Sequence, residues 1–174
     1  MSERKMIYLC LAHMSENGME QKYVQEAFDT NWVVPMGPNV NGFEKDLEGF
    51  VNCVGDSSLT LRMTAKGNSK QLDRKVVCLS AGTAAVHLAL IACGVKAGDE
   101  VLVQSFTFCA SSHPITYLGA KPVFVDSERE TWNMDPELLE KAIIERKEVT
   151  GRYPKAIIPV ALYGMPYDCE RIMA

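Results

Sequence analysis

The sequence predicts an α/β protein with a mostly parallel sheet and helices on both faces. From residue 75 onward, short apolar runs alternate with stretches of helical length, which is typical of a right-handed wound sheet. Residues with positional preferences mark the ends of those stretches. Gly94 and Gly119 follow two of them, and Asp135-Pro136 opens a third. A chain of 174 residues is the size of one ordinary domain and can bury a core.

Composition and charge argue against several classes of protein. Hydrophobic residues make up 47% of the chain and charged residues 23%, as in soluble globular domains. A net charge of -4 without a basic stripe argues against a nucleic-acid partner, and the apolar stretches are too short for a membrane span. Six cysteines without a C-x-x-C pair indicate reduced thiols and favour the cytoplasm, and no metal site is predicted.

The N-terminal part, residues 1–54, is predicted to form an arm and helices of the domain. Capping pairs predict two helices, one over residues 18–28 after Asn17 with Glu20, the other beginning at Asn41 with Glu44. Between them, residues 29–38 hold a tryptophan, a glycine and two prolines, which indicates a structured loop. Such a loop either binds a ligand or uses its tryptophan to hold itself to the core, and the sequence leaves both open.

The C-terminal part, residues 76–174, is predicted to be the wound α/β core. Its predicted strands are residues 76–79, 100–104, 122–126 and 156–160. Its predicted helices are residues 83–93, 110–118 and 137–146. The polar segment that precedes it, residues 55–75, is predicted to be a surface excursion with a hairpin strand at residues 59–64.

Ligands of wound parallel sheets bind beyond the carboxyl ends of the strands. Three predicted loops meet there, at residues 80–83, 105–108 and 163–164. In the first, small residues and the helix-start amides of Gly82 and Thr83 predict a phosphate site, with an ordinary turn capped near Ser80 as an equal alternative. In the second, Phe106 or Phe108 is predicted to stack on a planar ring. A flat, phosphorylated cofactor satisfies both loops, whereas the absence of G-x-G-x-x-G disfavours a dinucleotide.

In this order, the motifs resemble the first half of the DegT/DnrJ/StrS family of pyridoxal phosphate-dependent nucleotide-sugar aminotransferases. The motifs that carry the resemblance are Ser80–Leu90, Gly98–Val101, Ser105–Phe108, Leu118–Asp126, and Ala156–Val160 with Tyr163-Gly164. Together they extend over residues 6–172 apart from residues 55–75. Further motifs, His13-Met14, Asn31–Pro35 and Gly37-Pro38, are similar to the branch that makes 4-amino-6-deoxy nucleotide sugars, as for N-acetylbacillosamine.

The resemblance implies the large domain of a fold-type-I transferase that binds pyridoxal 5'-phosphate. It implies that the cofactor is held by Ala81, Gly82, Thr83 and Phe108. It implies that a nucleotide-linked 4-keto-6-deoxy sugar is contacted by Asn31, Trp32, Val33, Val34 and Gly82. It also implies a homodimer, an amino-acid donor such as glutamate, and a role in surface polysaccharide or glycan biosynthesis.

The same resemblance puts the Schiff-base lysine and the aspartate that pairs with the pyridine nitrogen beyond Ala174. No catalytic residue is therefore assigned, and we expect a C-terminally incomplete domain that is inactive alone. The alternative is a non-catalytic fragment that keeps the fold for assembly or ligand binding. A nucleotide-sugar dehydratase or epimerase with NAD is disfavoured by the missing glycine motif.

Overall fold

The computed structural model describes residues 14–53 and 74–174, and the chain divides into two compact units at residues 78/79. The first unit contains helices α1 (Met19–Asp29) and α2 (Pro38–Cys53). The second contains, in order, α3 (Gly82–Ala92), β1 (Glu100–Gln104), a 3₁₀ turn (Cys109–Ser111), α4 (His113–Tyr117), β2 (Lys121–Val125), α5 (Pro136–Thr150), β3 (Ala156–Ile158), a second 3₁₀ turn (Leu162–Gly164) and α6 (Cys169–Ile172). None of the helices described is long and apolar enough to cross a membrane.

Two predicted features fall outside the described residues. The predicted excursion lies there up to residue 73, together with its hairpin strand at residues 59–64. The division into residues 1–54, 55–75 and 76–174 therefore stays a prediction.

Both helices of the first unit form where they are predicted, but their caps differ. Gly18 is the N-cap of α1, and Asn17 Oδ1 accepts from the amide of Met19 at 3.2 Å. The Glu20 carboxylate accepts from the amide of Ser15 at 2.9 Å, so it reaches two residues further back than the predicted pair requires. The second cap prediction was wrong, because the Asn41 amide already donates to Gly37 O within a helix that Pro38 opens.

The predicted strand at residues 76–79 is absent, since these residues form no strand in the structure. Carboxylates of α2 take the amides that a ladder would use: Val76 N donates to Glu48 Oε1 at 3.1 Å and Cys78 N to Glu44 Oε1 at 2.7 Å. Burial, with a smaller contribution from the Glu44 carboxylate, raises the pKa of the Cys78 thiol. A β-branched run predicts an extended backbone, but it does not predict which groups pair with that backbone.

The other three predicted strands are confirmed as one parallel sheet in the order β2-β1-β3. Leu102 in the central strand pairs with Val123 of β2 and with Ile157 of β3. Helices connect strands of this kind because a parallel pair needs a long crossover. All three strands therefore end at the same edge, which is where the candidate site lies.

Helices pack on both faces of the sheet, as predicted. Side chains on a strand alternate between faces, so Val101 and Val103 point to one side and Leu102 to the other. The first face packs with Leu90 of α3 and Ile115 of α4. The second face packs in a cluster of Leu102, Val125, Met134, Leu139 and Ile172. The handedness of the winding stays a prediction.

The predicted helix at residues 110–118 is split into a 3₁₀ turn and the short helix α4. Pro114 explains the break, because it lacks an amide and is tolerated only in the first turn of a helix. The predicted helix at residues 137–146 is confirmed and extends to Thr150. Asp135 caps it by accepting from the amides of Glu137 and Leu138, and Gly151 ends it at φ 74°.

One ion pair fixes α5 to the amino end of the central strand. Arg146 donates through Nε and Nη2 to the Glu100 carboxylate at 2.8 and 2.7 Å. The two side chains are only 25% and 14% exposed. The guanidinium hydrogen bonds hold the pKa of Glu100 below its ordinary value of 4.5, which means that the pair favours the ionised carboxylate.

We predict that Glu100→Gln lowers the free energy of unfolding by about 3 kcal/mol at neutral pH, because it leaves a half-buried guanidinium without its carboxylate. A lowered carboxyl pKa stabilises the fold fully above the unfolded value, and that stabilisation is lost as pH falls through the folded value. The difference between variant and parent should therefore shrink in urea unfolding as pH falls below the ordinary carboxyl value of 4.5.

Glu137→Gln is the matched control, since Glu137 forms an exposed pair with Arg171 at 3.4 Å. Its expected cost is below about 1 kcal/mol. Two results would contradict a stabilising ion pair between Glu100 and Arg146. One is an equal loss of unfolding free energy in the two variants, and the other is a loss in Glu100→Gln that does not change with pH.

Candidate functional site

The loops that follow all three strands are joined by one buried side chain, Gln104, at the end of β1. Its side-chain amide donates from Nε2 to Phe106 O at 2.9 Å. Its Oε1 accepts from the amide of Met134, beyond β2, at 2.9 Å and from the amide of Val160, beyond β3, at 3.4 Å. Gln104 is fully buried. A buried amide with all of these partners holds the three loops in one arrangement.

A second buried amide, Asn133, fixes the loop after β3. Asn133 Oδ1 accepts from Leu162 N at 2.9 Å, and its Nδ2 donates to Met165 O at 2.9 Å. Between them, Tyr163 has a φ of 52°, which is rare for an aromatic residue, and its ring is exposed. The predicted meeting of residues 105–108 and 163–164 at the carboxyl edge thus has a physical basis.

The two phenylalanines of the β1 loop have different environments. The Phe106 ring lies against Trp132, with 5.7 Å between ring centroids and 53° between planes. Phe108 is 76% exposed and precedes the 3₁₀ turn. The sequence left both rings as stacking candidates. Phe108 is the one with an open face, and Phe106 is already paired.

The predicted phosphate residues open helix α3. Ala81 is the N-cap, in extended conformation and without a side-chain hydrogen bond, and Ser80 directly precedes it. Ser80 therefore lies near the N-cap, as the alternative of an ordinary turn expects, and the phosphate site stays a prediction. Both Ala84 and Ala85 donate to Ala81 O. In an α-helix each amide donates to the carbonyl four residues earlier, and for Gly82 and Thr83 that carbonyl would lie before the helix begins. Their amides therefore have no partner within the helix. A Cβ built on Gly82 meets no atom of the described residues within 4 Å, so the approach to these amides is open.

Chain direction places this helix start at the carboxyl edge. α3 packs against the face of β1 through Leu90, and a short connection leads from its last residues to the amino end of β1. A helix of 11 residues is about 16 Å long. Its first residues therefore lie towards the opposite edge, where β1 ends. α3 also packs against the 3₁₀ turn that follows Phe108.

Four of the five predicted substrate residues lie in the loop after α1, in the first unit, and the fifth, Gly82, opens α3 in the second unit. Asn31 has a φ of 62°, and Trp32 N donates to Ala27 O at 2.8 Å. The Trp32 ring covers Gly37 so closely that a Cβ there would come within 2.9 Å of it. The tryptophan holds its own loop in shape, as one of the two alternatives expects, yet Trp32, Val33 and Val34 all remain about half exposed.

Sequence reasoning missed Gln104, Asn133 and Trp132. The signal for Gln104 is an amide residue that ends an apolar strand run, just before the predicted loop. The signal for Trp132 is weaker, because nothing in its neighbours indicates that it takes a left-handed backbone conformation, with φ 65°. Asn133 follows it and carries no separate signal.

Comparison with known proteins decides the family. The sequence model of the DegT/DnrJ/EryC1/StrS aminotransferase family matches residues 69–174. The chain belongs to this family. EpsN of Bacillus subtilis (strain 168), whose name describes a pyridoxal phosphate-dependent aminotransferase, is 44% identical over 170 residues, covering 98% of this chain and 38% of EpsN. GDP-perosamine synthase of Escherichia coli O157:H7 is 36% identical over 168 residues, covering 97% of this chain and 39% of the synthase.

Solved structures of the DegT/DnrJ/EryC1/StrS family share the fold. A family member from Brucella abortus is 29% identical with a TM-score of 0.64, covering 92% of this chain and 40% of that protein. NtdA from Bacillus subtilis, solved with the cofactor PMP bound, is 26% identical with a TM-score of 0.65, covering 91% of this chain and 31% of NtdA. The chain thus spans about two fifths of the length of the curated relatives it matches.

Proposed function

We propose that the complete protein is a pyridoxal phosphate-dependent aminotransferase that aminates a nucleotide-linked 4-keto-6-deoxy sugar for surface polysaccharide. Family membership supports the reaction class, and the perosamine synthase among the relatives supports a nucleotide-linked substrate. The observation that carries the proposal is the open helix start at Gly82 and Thr83, on the same sheet edge as the exposed Phe108. The alternative is a fragment that serves only in assembly or ligand binding.

The residues at this edge fit a flat, phosphorylated cofactor. The amides of Gly82 and Thr83, with the Thr83 hydroxyl, donate to the phosphate, and the positive end of the α3 dipole favours its charge. Ala81 contributes its amide only. The Phe108 ring covers one face of the pyridine and so fixes its orientation. When bound, the cofactor supplies the electron sink for amino transfer.

The loop after α1 is our proposed contact for the sugar. Asn31 offers a side-chain amide with two donors and an acceptor, which suits sugar hydroxyls. Trp32, Val33 and Val34 offer half-exposed apolar surface that excludes water from the sugar ring. Glutamate is the proposed amino donor. We propose no catalytic lysine or aspartate within residues 1–174.

We predict that Gly82→Val weakens binding of 4-deoxypyridoxine 5'-phosphate at least about tenfold, because the valine side chain fills the open approach to the amides. This analogue lacks the cofactor's aldehyde and cannot react with surface lysines, so calorimetry reports the pocket alone. The same titration with 4-deoxypyridoxine, which has no phosphate, should show little binding to the parent chain.

Gly49→Val is the matched control. A Cβ at Gly49 also meets no atom of the described residues, but Gly49 lies in α2, in the other unit. This variant should bind the analogue like the parent chain. If Gly82→Val bound the analogue as tightly as Gly49→Val does, the phosphate assignment would be wrong.

The reaction itself is tested by joining this chain to the part of EpsN that follows the matched region. We expect the joined protein, with pyridoxal phosphate and glutamate, to convert a 4-keto-6-deoxy nucleotide sugar to its 4-amino product, measured by mass spectrometry. The 174-residue chain under the same conditions should give no product. Product from the chain alone would contradict the proposed absence of a catalytic lysine within it. No product from a folded joined protein would contradict the substrate.

We also propose a homodimer, because apolar side chains remain uncovered on the edge strands. Phe124 of β2 and Ile157 of β3 are both exposed, although parallel sheets ordinarily have both faces covered. Exposed apolar faces and open strand edges favour association. Light scattering of the chain at micromolar concentration should give at least twice the monomer mass of 19.3 kDa. A clean monomer that unfolds cooperatively would favour the fragment alternative.

A further inference from the structure

A pocket separate from the helix start of α3 lies at the carboxyl edge, beyond the ends of β1 and β2. It is an open cavity of about 580 Å³, within the range of small-molecule sites. Its lining residues are Ser105, Phe106, Asp126, Ser127, Glu128, Arg129 and Trp132. None of them is among the residues proposed above for the cofactor or the sugar.

The loop that carries Trp132 is tied together by several hydrogen bonds. Ser127 and Met134 form an antiparallel bridge, and Asp135 N donates to Asp126 O at 3.0 Å. The Glu128 carboxylate accepts from the amide and the hydroxyl of Thr131. These bonds lower the pKa of Glu128, the hydroxyl contributing most.

This loop presents a bulky aromatic residue in a strained conformation. Trp132 has a φ of 65°, which side chains of its size rarely adopt. Its ring is 59% exposed and lies beside Phe106. The surrounding bonds offset that strain to hold an indole at the surface of the pocket.

The polar groups around the ring pair are only partly used. Asp126 Oδ1 accepts from the Ser105 hydroxyl at 3.2 Å and from the amide of Ser127 at 2.8 Å, while no described residue donates to Oδ2. The Ser127 hydroxyl oxygen is buried without a hydrogen-bond partner. Within residues 14–53 and 74–174, no ion pair engages Arg129. A ligand with a ring N–H and a negative charge would pair with Asp126 Oδ2 and with Arg129.

We propose that this pocket binds the nucleobase of the nucleotide-linked ligand. The base stacks on the exposed face of Trp132, its ring N–H donates to Asp126, and Arg129 pairs with the diphosphate. Aromatic stacking suits every base because each has a π face. This inference rests on the proposed function, from which the nucleotide is taken, and it assigns the base to residues outside the cofactor site.

The chain contains only two tryptophans, which makes a direct test available. With Trp32→Phe as the background, Trp132 is the sole source of indole fluorescence. Titration with UDP and with GDP should quench that fluorescence, since a stacked base lies on the ring. Inorganic pyrophosphate, which has the charge but no base, should leave the fluorescence unchanged. Equal quenching by pyrophosphate, or no quenching by either nucleotide, would overturn the proposal.

A second set of variants separates the ring from the fold. Asparagine tolerates a positive φ, so Trp132→Asn removes the ring without forcing the backbone to move. Its nucleotide affinity, measured by calorimetry, should fall at least about tenfold, and Asp126→Asn should lower it in the same direction. Unchanged affinity in a Trp132→Asn chain that unfolds like the parent would contradict the assignment.

Two further readouts separate this pocket from the cofactor site. Binding of 4-deoxypyridoxine 5'-phosphate should be the same in Trp132→Asn as in the parent chain, so a failed nucleobase pocket leaves the proposed aminotransferase function standing. Nucleotide quenching should persist in Gly82→Val. Loss of quenching in that variant would mean that the nucleotide occupies the phosphate site at α3, and the proposal would be wrong.

Discussion

The arrangement of the candidate site depends on the hydrogen bonds of one buried side chain, Gln104. A primary amide buried among apolar strands costs several kcal/mol unless it is paired, and here the donor side and the acceptor side both have partners. Those partners belong to the loops that follow β1, β2 and β3. No hydrophobic contact could do the same, because apolar packing carries little directional information. The core therefore positions the sheet, and Gln104 positions the loops that the sheet presents.

The start of helix α3 is held at the same edge by apolar packing and not by Gln104. Its apolar residues pack on one face of β1 while α5 covers the other, and the ion pair of Arg146 with Glu100 fixes α5 at the opposite edge. The structure thus has a rigid amino edge and a carboxyl edge where amides, aromatic rings and a pocket are left open. Residues that are strained or incompletely paired gather at that second edge: Tyr163, Trp132 and Ser127. A strained backbone conformation persists only where the surrounding contacts hold the residue in it.

Much of the second unit could be predicted from its sequence. Apolar runs and punctuation by Gly94, Gly119 and Asp135-Pro136 predict three strands and their helices, because local periodicity and capping decide those elements. The strand at residues 76–79 could not be excluded in this way, since carboxylates 28 and 34 positions away along the chain take its amides. The sequence also could not decide whether Phe106 or Phe108 has the open ring face, because that depends on Trp132, which lies beyond β2. Family membership was readable from ordered motifs, whereas the residues that hold those motifs in place were not.

Hydrogen exchange measures the central claim most directly. In Gln104→Leu, which keeps the volume but removes both hydrogen-bonding groups, the amides of Met134 and Val160 lose their acceptor. Their exchange should accelerate at least about tenfold, while the ladder amides at Val101 and Val103 keep their protection. Ser105→Ala is the control, because its hydroxyl bonds only to the exposed Asp126 among the described residues. Unchanged exchange at Met134 and Val160 in a folded Gln104→Leu chain would contradict the claim that this side chain holds the three loops.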